Sequence, residues 1–234
     1  GPINAFITWE ESKTTNIGVE FGILDDKFSG SVEYFERVTD QLVSSLIIPG
    51  SAGGGEIPTN DGLIENTGIE FGLTYNESFG NLRVQVGLNG TYINTVLTEI
   101  PEDVLFGEAP EWDVPHVIQI FEGRAPSEFW LIQTDGIFRS QAEIDAHVGP
   151  DGNLIQPEAQ PGDIKFIDAD GDGEITTEGD RQFAGLGRAP WSGGLNINVA
   201  SGAFDFTMNL YANFGHHVFN GPRYLIEQPY GYDN

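Results

Sequence analysis

Apolar and polar residues alternate singly along much of this chain. Ile17, Val19, Phe21 and Ile23 alternate with Asn16, Gly18, Glu20 and Gly22, and Thr67, Ile69, Phe71 and Leu73 with Asn66, Gly68, Glu70 and Gly72. Leu82, Val84, Val86, Leu88 and Tyr92 are set against Arg83, Gln85, Gly87, Asn89 and Thr91. Near the end, Leu195, Ile197 and Val199 alternate with Asn196 and Asn198, and Phe204, Phe206, Met208, Leu210, Ala212 and Phe214 with Asp205, Thr207, Asn209, Tyr211 and Asn213. A period of two puts successive side chains on opposite faces of a strand. The pattern therefore predicts β-strands with one apolar face and one face of Gly, Asn, Thr, Gln, Glu and Asp. Helical periodicity is scarce. The polar face can meet bulk water in a soluble sandwich or line the lumen of a membrane barrel, and alternation alone leaves both open.

Connection lengths shift the balance. The links at Asp25-Asp26-Lys27, Glu77 to Asn81 and Ala200-Ser201-Gly202 are short. The connections near residues 44–63, 94–128 and 139–190 are long. Soluble domains rarely sustain such loops, whereas outer-membrane barrels alternate short periplasmic turns with long external loops. Aromatic residues close to predicted strand ends (Trp9, Tyr75, Tyr92, Trp130, Trp191, Phe214) fit interface girdles. An open sheet cannot persist in hydrocarbon with unpaired edges, so the barrel reading makes this chain part of a larger one.

Charge and composition then remove other classes. The chain holds 36 Asp+Glu against 10 Lys+Arg, a formal net charge of −26, with lysine only at positions 13, 27 and 165. Such a surface repels phosphate backbones and offers no basic stripe, which excludes nucleic-acid binding. The absence of cysteine excludes disulfide scaffolds, thiolate metal sites and Cys nucleophiles. Nothing approaches the run of about 18 apolar residues that marks a membrane helix. The 31 glycines are about twice the usual share.

The sharpest chemical signal is the run Asp168-Ala169-Asp170-Gly171-Asp172-Gly173-Glu174-Ile175. It matches the opening of the D-x-D-x-D-G calcium loop, in which alternate carboxylates converge on a hard cation, the glycine permits a sharp turn, and the next residue offers its carbonyl. The twelfth position should be a bidentate acid. Here it is Gly179, flanked by Glu178 and Asp180, either of which could close the loop. Asp168, Asp170, Asp172, Glu174, Glu178 and Asp180 are thus the candidate ligands of a structural calcium ion. The competing reading is a solvated Asx-rich turn.

The remaining candidates have plainer readings. Ser140 and Glu143 have capping-box spacing and predict a short surface helix after Asp135-Gly136-Ile137-Phe138. Ser51 to Gly55 lacks the Gly-Lys-Ser/Thr of a phosphate cradle. The adjacent His216 and His217 point oppositely on a strand and cannot chelate together. Carboxylate pairs such as Glu10/Glu11 and Asp25/Asp26 arise freely in so acidic a chain, and no hydrolase motif accompanies them. The protein is not expected to be an enzyme.

Several segments together resemble one family. They are Trp9-Glu10-Glu11-Ser12 through Asn16-Ile17-Gly18-Val19-Glu20-Phe21-Gly22, Ser29 to Phe35, Ile64 to Glu70, Asp135-Gly136-Ile137-Phe138, and Pro161-Gly162-Asp163-Ile164-Lys165-Phe166 followed by Asp168 to Gly173 and Asp180-Arg181. In order and spacing these resemble the SusC/RagA-type TonB-dependent transporters of the Bacteroidota outer membrane. The loop departs from the family pattern by one extra residue before Asp180. The resemblance implies an all-β fold: a fragment of a large antiparallel transmembrane β-barrel with long extracellular loops and short periplasmic turns. Residues 1–234 would be the later part of that barrel domain, without the plug domain, the early strands or the last strand. It also implies import of a bulky nutrient, an oligosaccharide or a peptide, with outer-membrane lipid around the wall. A SusD-like surface lipoprotein would be the partner, and TonB would act through the absent plug. The alternatives are a secreted calcium-binding β-sandwich (an adhesin or carbohydrate-binding module) and an outer-membrane receptor for another substrate class such as metal chelates. The direction of Ile17, Val19, Phe21, Ile69, Phe71, Val84, Val86, Phe206 and Met208 separates sandwich from barrel.

Overall fold

A computed structural model of the chain describes residues 6–48, 55–100 and 117–227. The Ser51–Gly55 loop tip falls almost wholly outside them. Four long strands come first: β1 (Glu11–Ile23), β2 (Phe28–Ile48), β3 (Gly55–Phe79) and β4 (Leu82–Glu99). Short elements follow: β5 (Ile118–Gln119), β6 (Glu128–Ile132), β7 (Thr134–Ile137), α1 (Gln141–Asp145), β8 (Ile164–Phe166) and β9 (Arg181–Leu186). The chain then returns to long strands, β10 (Trp191–Ser201) and β11 (Phe204–Phe214), and closes its described part with α2 (Gly221–Glu227).

The long strands make one antiparallel sheet in the order β1-β2-β3-β4-β10-β11. Neighbours in the sheet are neighbours along the chain except at β4 and β10, between which all the short elements are inserted. Register preserves the faces predicted from alternation. Val19 pairs with Val32, Val32 with Phe71, Val86 with Ile197, and Ile197 with Met208. On the other face Asn198 lies opposite Gln85 and Thr207, and Glu33 opposite Glu70.

Nothing among the described residues covers the apolar face. Ile17 is 68 % exposed, Phe206 57 % and Leu210 54 %, while the fully buried apolar residues, Phe138 and Ile144, lie elsewhere, among the inserted elements. The sandwich expectation therefore fails: a sandwich would bury these alternate residues against a second sheet. A wall meeting lipid leaves them uncovered, as here.

Two strands run beyond their alternating segments. The connection expected over residues 44–63 is in part a continuation of β2 and β3, paired from Leu42/Gly62 to Ile48/Gly55. Outside hydrocarbon an antiparallel pair needs only its backbone bonds, so alternation ceases while the ladder goes on. An irregularity between Thr39 and Leu42, where Gln41 adopts a positive φ of 57°, marks the change. The hairpins at the opposite end are tight. Only Gly80-Asn81 joins β3 to β4, and only Gly202-Ala203 joins β10 to β11. Each opens with a glycine at φ near 60°, the pattern of a type II′ turn.

Glycines on the wall admit aromatic rings. Phe71 lies directly across from Gly90, and a methyl placed on Gly90 would sit 2.6 Å from the ring. The bare backbone lets the ring lie flat over the neighbouring strand, filling the surface that a side chain would have occupied. We expect Gly90→Val to displace the ring and cost about 1–3 kcal/mol. Heat-modifiable migration of the folded barrel should then be lost at a lower temperature than in the unaltered protein. An unchanged transition would show that the ring does not need the glycine.

Candidate functional site

The wall has three chemical zones. Its apolar face carries two aromatic lines. Tyr34, Tyr92, Trp191 and Phe214 sit in one line across neighbouring strands, linked through Ile69. Tyr92 and Trp191 touch, with ring centroids 4.6 Å apart. Phe28, Tyr75, Phe79, Phe204 and Phe206 lie toward the short turns. β11, with 11 residues, spans about 34 Å along its axis at about 3.4 Å per step, or about 26 Å in height at a tilt of about 40°. That matches the apolar band of about 25 Å in outer-membrane barrels. Two predicted girdle residues lie off the sheet. Trp9 precedes β1, and Trp130 lies on β6, because the apolar run there belongs to a separate small sheet.

The opposite face is polar and hydrogen-bonded across strands. Asn198 Nδ2 donates to Asn196 Oδ1 (2.6 Å) and to Gln85 Oε1 (3.3 Å). Thr207 Oγ1 donates to Asn198 Oδ1 at 2.9 Å, and Asn196 donates to Asn209. Farther along, Glu20, Glu33 and Glu70 share this face with Gly18 and Gly72. Glu33 and Glu70 are direct cross-strand partners, a like-charge pairing that costs stability. No ion pair to these three acids occurs among the described residues. Amides and uncompensated carboxylates on one face of a membrane wall describe a surface that water or a polar solute must cover.

The inserted elements form a small body beyond the upper aromatic line. β5-β6-β9 and β7-β8 are separate sheets. The Asp135-Gly136-Ile137-Phe138 segment is β7 plus a wholly buried Phe138, and the predicted helix is α1. Ser140 caps it, accepting from the Glu143 N–H, while Glu143 returns its carboxylate to the N–H of Arg139 (2.8 Å), one residue earlier than in the standard box. Asp135 accepts from Lys165 Nζ at 2.7 Å, and this hydrogen bond and charge hold its carboxyl below the usual range. Asp151 is likewise held low, by the backbone and side-chain amides of Asn153.

Of the predicted metal ligands, three converge. One carboxylate oxygen from each of Asp168, Asp170 and Asp180 lies within 4.8 Å of the others. Asp172, Glu174 and Glu178 stand outside that group. Asp180 is wholly buried. Its oxygens accept from the N–H of Ala169 (2.7 Å) and of Thr176 (2.6 Å). Asp168 likewise accepts from Gly171 (2.7 Å) and Gly173 (2.9 Å), with Gly173 at a φ of 94°. Asp172 instead accepts from the Glu174 N–H at 2.8 Å, an Asx turn at the loop surface. The acid that reaches inward is therefore Asp180, one place beyond the twelfth position. Gly179 keeps the approach open, since a side chain there would strike Asp170. Each Asp180 oxygen retains a free lone pair, and no basic group pairs with it among the described residues. A buried carboxylate without a counter-charge, facing two others, fits a hard cation with oxygen ligands.

One cluster was not legible in the sequence. Arg124 Nε donates to Glu128 at 2.6 Å, Trp130 Nε1 donates to the same oxygen at 3.2 Å, and the guanidinium lies 4.9 Å from the Trp130 ring and 5.2 Å from the Phe183 ring. Glu128 is buried. The i,i+4 spacing of Arg124 and Glu128 was the available signal, but it suggests a helix pair, whereas Phe183 joins only through the β6–β9 pairing. His216 and His217 follow β11, and the backbone N–H of His217 donates to Leu186 O at 2.7 Å, tying that exit to β9. They therefore lie outside the strand on which opposite directions were expected of them.

Residues 1–115 match the family model described as TonB dependent receptor-like, beta-barrel. "TonB-dependent receptor P3" of Formosa agariphila is 25 % identical over 222 residues, covering 93 % of this chain and 22 % of its own length. "TonB-dependent receptor SusC" of Bacteroides thetaiotaomicron is 25 % identical over 226 residues, covering 92 % of this chain and 20 % of its own length. The chain thus spans about a fifth of the curated relatives it matches. Among solved structures, the RagAB peptide transporter aligns with a TM-score of 0.69 at 18 % identity, over 93 % of this chain and 22 % of that one. The RagAB peptide importer in its closed-closed state aligns at 0.71 and 19 % identity, over 98 % and 24 %. These structures share the fold of the wall and of its inserted elements.

Proposed function

The chain is a stretch of the β-barrel of a TonB-dependent receptor of the SusC/RagA type, and on that premise we propose that it forms part of the wall of an outer-membrane importer. The observation that carries the reading is the one-sided sheet. Its uncovered apolar face is bounded by aromatic lines, and its opposite face is built of amides and carboxylates. Lipid takes the first face and a solvated lumen the second. β1 and β11 each pair on one side only among the described residues, so in hydrocarbon further strands must close the ring. In this reading residues 1–234 are one section of a larger barrel domain.

The cargo of the whole importer is a bulky polar nutrient, an oligosaccharide or a peptide. A SusD-like lipoprotein would meet the small body inserted between β4 and β10, and TonB would supply energy through the plug. The neutral amide ladder around Asn198 suits a solute rich in hydroxyl and amide groups. Deleting the parent coding sequence in its host should reduce uptake of labelled oligosaccharide or peptide to background, and loss of TonB should do the same. Uptake indifferent to both deletions would contradict the reading.

The loop at Asp168, Asp170 and Asp180 is a structural calcium site in this reading. Its support is the motif together with the buried, uncompensated Asp180. The ion would supply the missing positive charge and fix the loop against the turn at Gly149, which approaches Gly173. Calcium titrated into the complete folded protein should show a site that Asp170→Ala weakens at least about tenfold. Equal binding in both proteins would remove the site.

A further inference from the structure

Beyond Trp191, β10 leaves the edge of β4, and the wall ladder is continued by other segments. Ile93 N donates to Pro190 O at 2.8 Å and Leu97 N to Arg124 O at 2.9 Å. Between these two bonds lies Thr95. The alternation of an antiparallel edge turns its N–H and C=O the same way, and neither has a partner on that side among the described residues. The gap is a cleft of about 450 Å³ lined by Asn94, Thr95, Arg124, Glu128, Arg188 and Pro190.

Its charge is unusual for this protein. The whole chain carries 10 basic residues against 36 acidic ones, yet two arginines face this one cleft with a single acid between them. Glu128 takes the Nε of Arg124, leaving the terminal nitrogens of that guanidinium without a partner among the described residues. Arg188 is exposed and has no ion pair there. Glu128 also fixes Trp130, so the Arg124 plane is held in place by a buried carboxylate and two rings rather than left to sample rotamers. Phe121 and Phe183, 41 % and 45 % exposed, lie on the far side of this cluster and do not line the cleft. Leu97 and Arg124 are direct bridge partners, which puts their side chains on one face, the face that Thr95 shares with Asn66 through a 2.7 Å hydrogen bond. That is the polar face of the wall.

We propose that this cleft is a subsite for an acidic sugar unit of the imported substrate. Arg124 and Arg188 take its carboxylate, and the backbone N–H and C=O of Thr95 take its hydroxyls. A guanidinium presents paired N–H donors that match a carboxylate, and its hydrogen bonds are charge-assisted. In a chain so acidic, a locally positive cleft selects the anionic group that the rest of the surface repels. The ladder is open at Thr95 alone, between the bonds made by Ile93 and Leu97, which is too short an edge to pair with a peptide strand, whereas a hexuronate offers hydroxyls and a carboxylate together.

The inference rests on the import reading, and the two fail differently. The complete importer, purified in detergent, is titrated calorimetrically with tetragalacturonate and with its methyl-esterified form. Ala-Ala-Ala with a free and with an amidated terminus serves as the peptide pair. The acid form of the sugar should bind at least about tenfold more tightly than the ester. Arg188→Gln, with folding checked by heat-modifiable migration, should abolish that difference. Equal affinity for acid and ester, no measurable binding of the acid, or a preference that survives both Arg188→Gln and Arg124→Gln would overturn the subsite. A preference seen only within the peptide pair would overturn the sugar assignment. Any of these in a protein that still imports in the deletion assay leaves the import reading standing, whereas failure of that assay strikes the import reading itself.

Discussion

A peptide group in hydrocarbon must find its hydrogen-bond partner within the protein, because no water is there to substitute. The six-stranded sheet obeys this constraint, and its other features follow from it. Antiparallel pairing is continuous from β1 to β11 through the zone between the aromatic lines. Irregularities in this sheet fall outside that zone, at Thr39/Leu42, Leu42/Val43 and Leu63/Ile64, where water can serve the freed groups. The tight hairpins at Gly80 and Gly202 keep the turn at one boundary small. The opposite boundary has no such limit, and there the chain inserts a small body with its own core at Phe138 and Ile144.

The same constraint explains a composition that looks too polar for a folded domain. A wall of one sheet has no interior in the usual sense. Lipid replaces the second layer, so the strands need apolar residues only at alternate positions, and glycine on either face lets rings lie across neighbouring strands, as Phe71 does over Gly90. Charge concentrates where water reaches. Glu20, Glu33 and Glu70 stand on the polar face, while Asp168, Asp170 and Asp180 crowd together in the inserted body. From the upper aromatic line down to the level of Tyr75 the outward positions carry no charge: Val19, Phe21, Val32, Phe71, Leu73, Val86, Leu88, Leu195, Ile197, Met208 and Leu210. The first charge on that face is Glu77, level with Phe206 near the short turns and paired with Lys27 at 2.7 Å.

Much of this was legible in the residue pattern. Alternation located the membrane-crossing part of β1, β3, β4, β10 and β11, because side-chain period and face are linked by strand geometry alone, whereas β2 entered only through the resemblance at Ser29 to Phe35. The glycine turns, the Ser140 cap and the calcium-like motif were equally local signals. What escaped was non-local. The outer halves of β2 and β3 pair through backbone, which side chains do not announce. The choice of Asp180 over Glu178 depends on which acid the Thr176 turn folds inward. The cluster of Arg124, Glu128, Trp130 and Phe183 is assembled from two strands separated by some fifty positions of sequence. Trp130 was misplaced for the same reason, since a strand-end aromatic reads alike on a membrane wall and on a small soluble sheet.

The central claim is that one face of the sheet meets lipid and the other meets water. The chain has no cysteine, so single cysteines can be placed along β11 and spin-labelled in the complete barrel reconstituted in bilayers. Labels at 206, 208 and 210 should collide readily with dissolved oxygen and poorly with a water-soluble nickel chelate. Labels at 205, 207 and 209 should show the reverse. A label series without this alternation, or one in which both faces meet only water, would contradict the account.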